Sequence, residues 1–223
     1  MAVIFGILVL QPDIGMTLMV VLTWGFQMFL AGMPMLLVIC IVALAPLGLV
    51  VAYFTLGHVH KRINQFWEGG AWQVEKARDS FANGGLFGVG PGDGTVKHHL
   101  PDAHSDFIFA VAGEEFGALA CLTLLTLYAF IVLRGFSRAM SDEGLFCLIA
   151  SASLLLQFGV QAAIHMASSV HLIPTKGMTL PLISYGGSSL VASGLTMGLI
   201  LALTRRRAPY VLPGRRNLQE ASS

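Results

Sequence analysis

Residues 107–133, FIFAVAGEEFGALACLTLLTLYAFIVL, form a long apolar run whose charged residues are Glu114 and Glu115. An α-helix rises about 1.5 Å per residue, so about 20 apolar residues cross the roughly 30 Å hydrocarbon core of a bilayer. The run therefore predicts a membrane-spanning helix. Carboxylates at that depth cost several kcal/mol unless other groups offset the cost, so the start of this helix is the first place to search for chemistry.

The composition of the whole chain agrees with a membrane protein. Of its 223 residues 11% are charged and 55% hydrophobic, and the mean hydropathy is +0.75, whereas soluble domains contain about 25% charged residues. Uncharged apolar runs also occupy residues 14–31, 35–55, 145–164 and 182–204, and a run at 2–10 is too short to cross. We predict an all-α fold, a polytopic membrane helical bundle with about five full spans and one truncated span.

The positions of Lys and Arg predict the orientation, because cytoplasmic segments are enriched in both. Residues 205–216 contain five arginines, and Arg134 and Arg138 lie in a short loop that falls on the same side. We therefore predict a membrane domain over 1–205 and a cytoplasmic C-terminal tail over 206–223. The large loop 56–105 is then extracytoplasmic, and the motif-like polar clusters share that outer face.

Several classes of function are disfavoured. The net charge is +1 and the chain has no basic patch, so we expect no nucleic-acid partner. Cys40, Cys121 and Cys147 lie in apolar runs without CxxC spacing, which indicates small buried side chains rather than a zinc site or disulfides. The first ten residues lack the basic start and small-residue cleavage site of a signal peptide.

The loop 56–105 contains two notable segments. Residues 66–74 carry Trp67 and Trp72 and predict an amphipathic piece at the membrane interface. Residues 84–94, GGLFGVGPGDG, hold six glycines. Such a loop either approaches a phosphate or sugar through its backbone N–H groups or acts as a flexible hinge. No strand precedes it and no Gly-Lys-Ser/Thr follows, which argues against a nucleotide-binding loop.

Asp106 stands at the start of the 107–133 run, where two interpretations are open. Ser105 or Asp106 could cap the helix or stabilise its first turn. Alternatively, Asp106 is a general base whose pKa is raised by partial desolvation. At helical geometry Glu114 would lie roughly 80° around the helix and about 12 Å deeper, so the two carboxylates could line one cavity wall. Glu115 would face the opposite way.

The histidines suggest weaker hypotheses. His98, His99 and His104 with Asp102 could in principle bind a divalent cation, but their spacing fits no established ligand pattern. We therefore predict no metal site and no certain cofactor, with a divalent cation as the remaining possibility. His165 and His171 flank a turn and are expected to be hydrogen-bonded interface residues.

Residues 174–189, PTKGMTLPLISYGGSS, are the second polar concentration. Lys176 is the one Lys or Arg between Arg138 and Arg205. It is either a partner for a diphosphate or for Asp106, or a lysine that snorkels at a helix end. The small residues 186–189 favour close helix packing. No Gly-x-Ser-x-Gly motif is present, so serine hydrolase chemistry is not indicated.

In order and spacing, these strings resemble the SEDS family, the FtsW/RodA peptidoglycan glycosyltransferases. The matching segments are QPDIG at 11–15, GGLFGVG at 84–90, LPDAHSDFIFA at 100–110, GEE at 113–115, PTKG at 174–177 and SYGGSS at 184–189. The resemblance extends to about residue 207 and leans toward the division-type FtsW branch. It implies ten transmembrane helices, of which the first four are absent here and the fifth is cut, and polymerisation of lipid II into glycan strands.

The resemblance also implies roles for individual residues. Asp106 is the catalytic base that deprotonates the 4-hydroxyl of the acceptor sugar, which then attacks the donor's anomeric carbon with inversion. Ser105 replaces the Thr of the family motif, and His165 stands where the family commonly has Asn. The implied substrate-binding residues are Gln11, Asp13, His104, Glu114, Lys176, Ser184, Tyr185, Ser188 and Ser189.

The implied setting is the bacterial cytoplasmic (inner) membrane, with a multi-pass chain and a cytoplasmic C-terminus. The implied partners are lipid II, a class B penicillin-binding protein transpeptidase, other divisome membrane proteins and membrane lipid. Two alternatives remain: a lipid II flippase or transporter, since charged residues among helices suit that role too, and a non-catalytic divisome scaffold. A chain that lacks the first helices is expected to have an incomplete site, and its activity alone is open.

Overall fold

The computed structural model describes residues 14–40, 50, 53–55, 57–67, 72–141, 144–174 and 177–205, and these are helical with connecting turns and no strand. The predicted all-α fold is thus confirmed. The helices are α1 (Ile14–Leu30), α2 (Gly57–Trp67), α3 (Trp72–Gly84), a short 3-10 helix (Val96–His99), α4 (Ile108–Ala139), α5 (Leu145–Ser169) and α6 (Gly187–Leu203). Residues 35–40 are also helical.

The helices α4 and α5 are long and apolar enough to cross a membrane, and α1 and α6 are apolar helices of 17 residues each. The predicted spans at 14–31, 107–133 and 145–164 correspond to α1, α4 and α5. In the predicted span 35–55, residues 35–40, 50 and 53–55 are described and helical. The truncated span at 2–10 and the tail 206–223 lie outside the described residues.

The predicted span 182–204 begins later than expected. Residues 177–186 are not helical, and α6 starts at Gly187. The apolar run misled the prediction because Ser184 diverts the backbone: its hydroxyl accepts the N–H of Leu180 at 2.7 Å and donates to the carbonyl of Ser105 at 2.7 Å. These bonds hold residues 180–184 in a turn.

The helix α5 packs on α1, α4 and α6 and forms the centre of the described bundle. The rings of Tyr128 on α4 and Phe158 on α5 stack with centroids 5.5 Å apart. Leu180, from the non-helical segment, is buried in the same cluster. A second cluster, which includes Ala77, Leu100 and Phe107, joins α3 and the turn at 100–107 to the start of α4. The turn that carries Asp106 is therefore fixed on one side by apolar packing.

The helix α4 is broken at Gly117, whose φ of 78° and ψ of −179° are accessible to glycine alone. The break frees backbone groups that an intact helix would pair, and residues 85–90 take them. The N–H groups of Ala118 and Leu119 donate to the carbonyls of Gly85 and Leu86, at 2.9 and 3.3 Å. The N–H groups of residues 89 and 90 donate to the carbonyls of Glu114 and Glu115, at 3.0 and 3.1 Å.

The glycine-rich loop is therefore a structural support for the break in α4. A β-carbon at Gly88 would lie 2.1 Å from the carbonyl oxygen of Glu115, and one at Gly117 would lie 2.4 Å from the carbonyl oxygen of Leu86. Residues 85–90 fit neither of the two roles inferred from the sequence for residues 84–94, a loop that binds a phosphate or sugar and a flexible hinge. Their backbone is bonded to α4, so it is no hinge, and the amides of Val89 and Gly90 are occupied, so they cannot receive an anion.

Candidate active site around Asp106

Asp106 ends a turn over residues 101–106 that precedes α4. Its backbone N–H donates to the carbonyl of Asp102 at 2.9 Å, and Asp102 adopts a left-handed φ of 55°. The N-cap of α4 is Phe107, with no side-chain cap hydrogen bond. The interpretation of Ser105 or Asp106 as a helix cap is therefore wrong, and the Asp106 carboxylate is left available for another role.

The carboxylate of Asp106 lies against the backbone of Gly177. A β-carbon built on Gly177 would stand 3.0 Å from Asp106 Oδ2. Partial burial raises the pKa of Asp106, the neighbouring Asp102 carboxylate raises it further, and the Ser105 side chain opposes the rise. A carboxylate with a raised pKa accepts a proton more readily, which is the property that a general base requires.

Gly177 begins a non-helical segment over residues 177–185, which we call the strap. Side chains from the packed helices hold its carbonyl groups. His165 Nδ1 donates to the carbonyl of Met178 at 2.7 Å, Gln161 Nε2 to that of Thr179 at 3.0 Å, and the Tyr128 hydroxyl to that of Pro181. Non-helical backbone among membrane helices needs such partners, because lipid provides none.

The far end of the strap is bonded to the turn that carries Asp106. Besides the bond from Ser184 to the Ser105 carbonyl, the N–H of Tyr185 donates to the carbonyl of His104 at 2.9 Å. Ser184 is 4% exposed, and its hydroxyl bonds two backbone groups. The strap and the turn therefore form one unit, with Asp106 at the Gly177 end and Ser184 at the other.

A cavity of about 560 Å³ opens beside this unit, between α1, α5, the strap and α6. Gly177 lines it, so one residue borders both the cavity and the Asp106 carboxylate. The described lining residues are uncharged, and nine carry hydroxyl or amide groups: Thr23, Gln27, Gln157, Gln161, Thr179, Ser188, Ser189, Ser193 and Thr196. The cavity can therefore hydrogen-bond a neutral polar group.

The substrate-binding residues predicted from the sequence divide between two places. Ser188 and Ser189 line the 560 Å³ cavity. His104, Ser184 and Tyr185 line a second cavity of about 450 Å³ at the Ser184 end of the strap, where Tyr185 is exposed. Gln11, Asp13 and Lys176 lie outside the described residues. Lys176 is the chain neighbour of Gly177.

Glu114 is bonded to α3 and to residues 95–97 rather than to the turn that carries Asp106. Its carboxylate, 0% exposed, accepts the Asn83 side-chain amide at 2.9 Å and the backbone N–H groups of Thr95, Val96 and Lys97 at 2.8, 2.8 and 3.0 Å. The shared cavity wall inferred from helical geometry is therefore wrong, since residues 101–106 turn before the helix starts. Glu115 pairs instead with the Lys97 ammonium group.

The structure bears on two hypotheses about histidines, the hydrogen bonding of His165 and a cation site at His98, His99 and His104. His165 is buried and hydrogen-bonded, as predicted. Among the described residues, no three His, Cys, Asp or Glu side chains converge as metal ligands, so His98, His99, His104 and Asp102 do not form a cation site in this arrangement. Tyr128 and Gln161 were not among the site residues predicted from the sequence. Their signal was a polar group within an apolar helical run.

Comparisons with known proteins identify the family. The family model FTSW_RODA_SPOVE, described as cell cycle protein, matches residues 1–208. A Caulobacter vibrioides protein named "Probable peptidoglycan glycosyltransferase FtsW" is 43% identical over 205 residues, which are 91% of this chain and 53% of that protein. The chain thus spans about half the length of the curated relatives it matches.

Two solved structures share the fold. One is a chain from a study of the structural coordination of polymerization and crosslinking by a peptidoglycan synthase complex, with TM-score 0.75, 28% identity and coverage of 91% of this chain and 58% of that one. The other is a mutant of Thermus thermophilus rod shape determining protein RodA, with TM-score 0.59, 27% identity and coverage of 92% and 55%. This chain therefore belongs to the FtsW/RodA/SpoVE family of cell cycle proteins, the SEDS family.

Proposed function

We propose that this chain carries the catalytic centre of a peptidoglycan glycosyltransferase that polymerises lipid II, with Asp106 as its general base. The observation that carries the proposal is the position of Asp106. Its partly buried carboxylate, with a raised pKa, borders Gly177, which also lines the polar cavity. The names of the Caulobacter relative and of the solved synthase complex support the same reaction.

In the proposed reaction the 4-hydroxyl of the acceptor sugar donates its proton to a carboxylate oxygen of Asp106. Such transfer requires the two oxygens to approach to about 2.6–3.2 Å. The acceptor oxygen forms a bond to the anomeric carbon of the donor, and the bond from that carbon to the lipid diphosphate breaks. Because attack and departure are on opposite faces, the configuration inverts. The proton remains on Asp106 until solvent removes it.

The cavity and the strap suggest where the substrates lie. The uncharged hydroxyl and amide groups around the 560 Å³ cavity suit sugar hydroxyls. A departing diphosphate requires a cation, and Lys176, next to Gly177 in the chain, is the proposed source. The proposed roles of Gln11, Asp13, His104, Tyr185, Ser188 and Ser189 are contacts to substrate. The Ser184 hydroxyl and the Glu114 carboxylate are already hydrogen-bonded within the chain, so we propose that they hold the backbone around the site.

The proposed setting is the inner membrane, where the chain crosses several times and its C-terminus is cytoplasmic. The 43% identity to the Caulobacter FtsW favours division over elongation. The solved synthase complex suggests a class B penicillin-binding protein transpeptidase as partner. Other divisome proteins are proposed as further partners.

The test is polymerisation of purified lipid II by the chain in proteoliposomes, with and without the transpeptidase. Asp106→Asn should abolish the formation of glycan strands without lowering the thermal stability. Asp102→Asn is the matched control for folding, because Asn also tolerates the left-handed backbone at that position, and it should still make strands although loss of the Asp102 charge lowers the pKa of Asp106. Strands made by Asp106→Asn would overturn the role of Asp106. If the wild-type chain makes no strands, with or without the transpeptidase, the proposed activity is overturned. Translocation of lipid II alone would then favour a flippase, and binding of the transpeptidase alone would favour a scaffold.

A further inference from the structure

We propose that His165 is a positioning residue for Asp106: through the Met178 carbonyl it holds the start of the strap, so that Gly177 covers the Asp106 carboxylate. His165 bonds Met178, a lining residue of the 560 Å³ cavity, and is not itself among the described lining residues. It acts through the backbone of Met178 and Gly177. The proposal rests on the proposed function of Asp106 and adds a residue that the reaction itself does not use.

The hydrogen bond of His165 fixes which ring nitrogen carries the hydrogen in the neutral ring. A carbonyl oxygen can only accept, so Nδ1, 2.7 Å from the Met178 oxygen, carries the hydrogen, and Nε2 of the neutral ring carries a lone pair. The ring is 0% exposed, and Nε2 has no hydrogen-bond partner in the described part of the chain. A buried imidazole with one hydrogen bond is costly to keep. That one bond holds the strap.

The helix α5 holds two consecutive strap carbonyls. Gln161 and His165 are four residues apart and therefore share a helix face. Gln161 bonds Thr179 and His165 bonds Met178, directly after Gly177. The Ser168 and Ser169 hydroxyls both donate to the His165 carbonyl at 2.9 Å, and these bonds lie within α5 and do not involve the strap.

Loss of the His165 bond would release one end of the strap and leave the other in place. Tyr128 still bonds Pro181, and Ser184 still bonds Leu180 and the Ser105 carbonyl. The change is thus confined to the end that covers Asp106. Water that enters there removes the burial that raises the pKa of Asp106, so this pKa falls toward the ordinary value. Asp102, the other charged group that raises it, is unaffected. Lys176 lies outside the described residues.

Two substitutions separate positioning from general structure. His165→Asn places an N–H donor at the same δ position and can keep the bond to Met178, whereas His165→Leu fills the space without a donor. Ser169→Ala is the matched control, because it removes a buried hydroxyl from the same turn of α5 whose bond goes to the His165 carbonyl and not to the strap. If His165→Leu does not fold, His165→Ala replaces it.

The first measurement is the carboxyl NMR titration of Asp106 in the chain itself, assigned by the signal that Asp106→Asn removes. We expect the midpoint of the wild-type chain above the ordinary aspartate value of about 3.9, and the midpoint of His165→Leu shifted down toward it. His165→Asn and Ser169→Ala should match the wild type. An unchanged midpoint in His165→Leu, or an equal shift in His165→Asn, would overturn the proposal.

The second measurement is polymerisation as a function of pH. His165→Leu should lower kcat about tenfold or more through misplacement of the base, with less effect on KM, and should shift the acid limb to lower pH. A lower kcat with an unmoved acid limb would mean that His165 has a structural role only. The titration does not depend on catalysis, so it can support the positioning role even if Asp106→Asn remains active, and the two proposals can fail separately.

Discussion

Gly177 touches Asp106 at a position where a side chain would displace the carboxylate, since a β-carbon there would lie 3.0 Å from Oδ2. The contact joins the strap to the turn before α4, far apart in the chain. It makes the environment of Asp106 depend on how the strap is held.

We therefore expect Gly177→Ala to lower polymerisation about tenfold or more while the protein still folds. Gly177 does not adopt a left-handed backbone, so the added methyl group acts through contact with Asp106 rather than through strain. Displacement of a catalytic group by a fraction of an ångström is enough for such a loss. Gly198→Ala is the control, because nothing lies within 4 Å of a β-carbon there. Equal activity of both variants would contradict the contact.

The raised pKa of Asp106 predicts a stability that depends on pH. When burial raises the folded-state pKa of a carboxyl group, folding favours the protonated form. The group's stabilising contribution is complete below the unfolded-state pKa and is lost as the pH rises through the folded-state pKa. Asp106→Asn should therefore raise the thermal midpoint at neutral pH, and the difference should disappear in acid. A lower midpoint for Asp106→Asn at neutral pH would contradict this assignment. The measurement is a pair of thermal unfolding series across pH.

The sequence predicted the helices better than it predicted the contacts between distant segments. Apolar length alone identified α1, α4 and α5, because membrane helices need a fixed number of apolar residues. It placed the start of α6 too early, since the effect of Ser184 depends on Ser105, a residue distant in the chain. Asp106 was selected from its motif. Its contact with Gly177 was not predicted, because no local sequence pattern encodes a contact between distant segments.

The two glutamates inside the apolar run illustrate the same limit. Periodicity placed Glu114 near Asp106, but it assumed a helix that begins before Ile108. Only the fold reveals that residues 95–97 bring backbone donors to Glu114. The glycine-rich loop was equally ambiguous, because backbone hydrogen bonds to a broken helix leave no signature in side-chain chemistry.

The break at Gly117 predicts a strong effect of a single methyl group. Gly117→Ala requires a residue with a side chain at φ 78° and ψ −179°, and its β-carbon would lie 2.4 Å from the Leu86 carbonyl oxygen. Backbone strain of this kind costs about 1–3 kcal/mol, and the collision adds to it. Thermal unfolding in detergent should show a clear loss of stability. Gly25→Ala, inside α1 with open space around it, should be neutral or stabilising. Similar melting of the two variants would contradict the break.

Glu114 predicts a difference between two adjacent carboxylates. Glu114→Gln replaces one acceptor oxygen with an amide NH₂ that would face backbone donors, so buried N–H groups lose their partner at about 1–3 kcal/mol. Glu115→Gln weakens one ion pair with Lys97 and should cost less. Both variants keep Asp106 and the strap intact. We therefore expect Glu114→Gln to lower the thermal midpoint more than Glu115→Gln, and to speed amide hydrogen exchange at residues 95–97. An equal loss in the two variants would mean that Glu114 does not organise this loop.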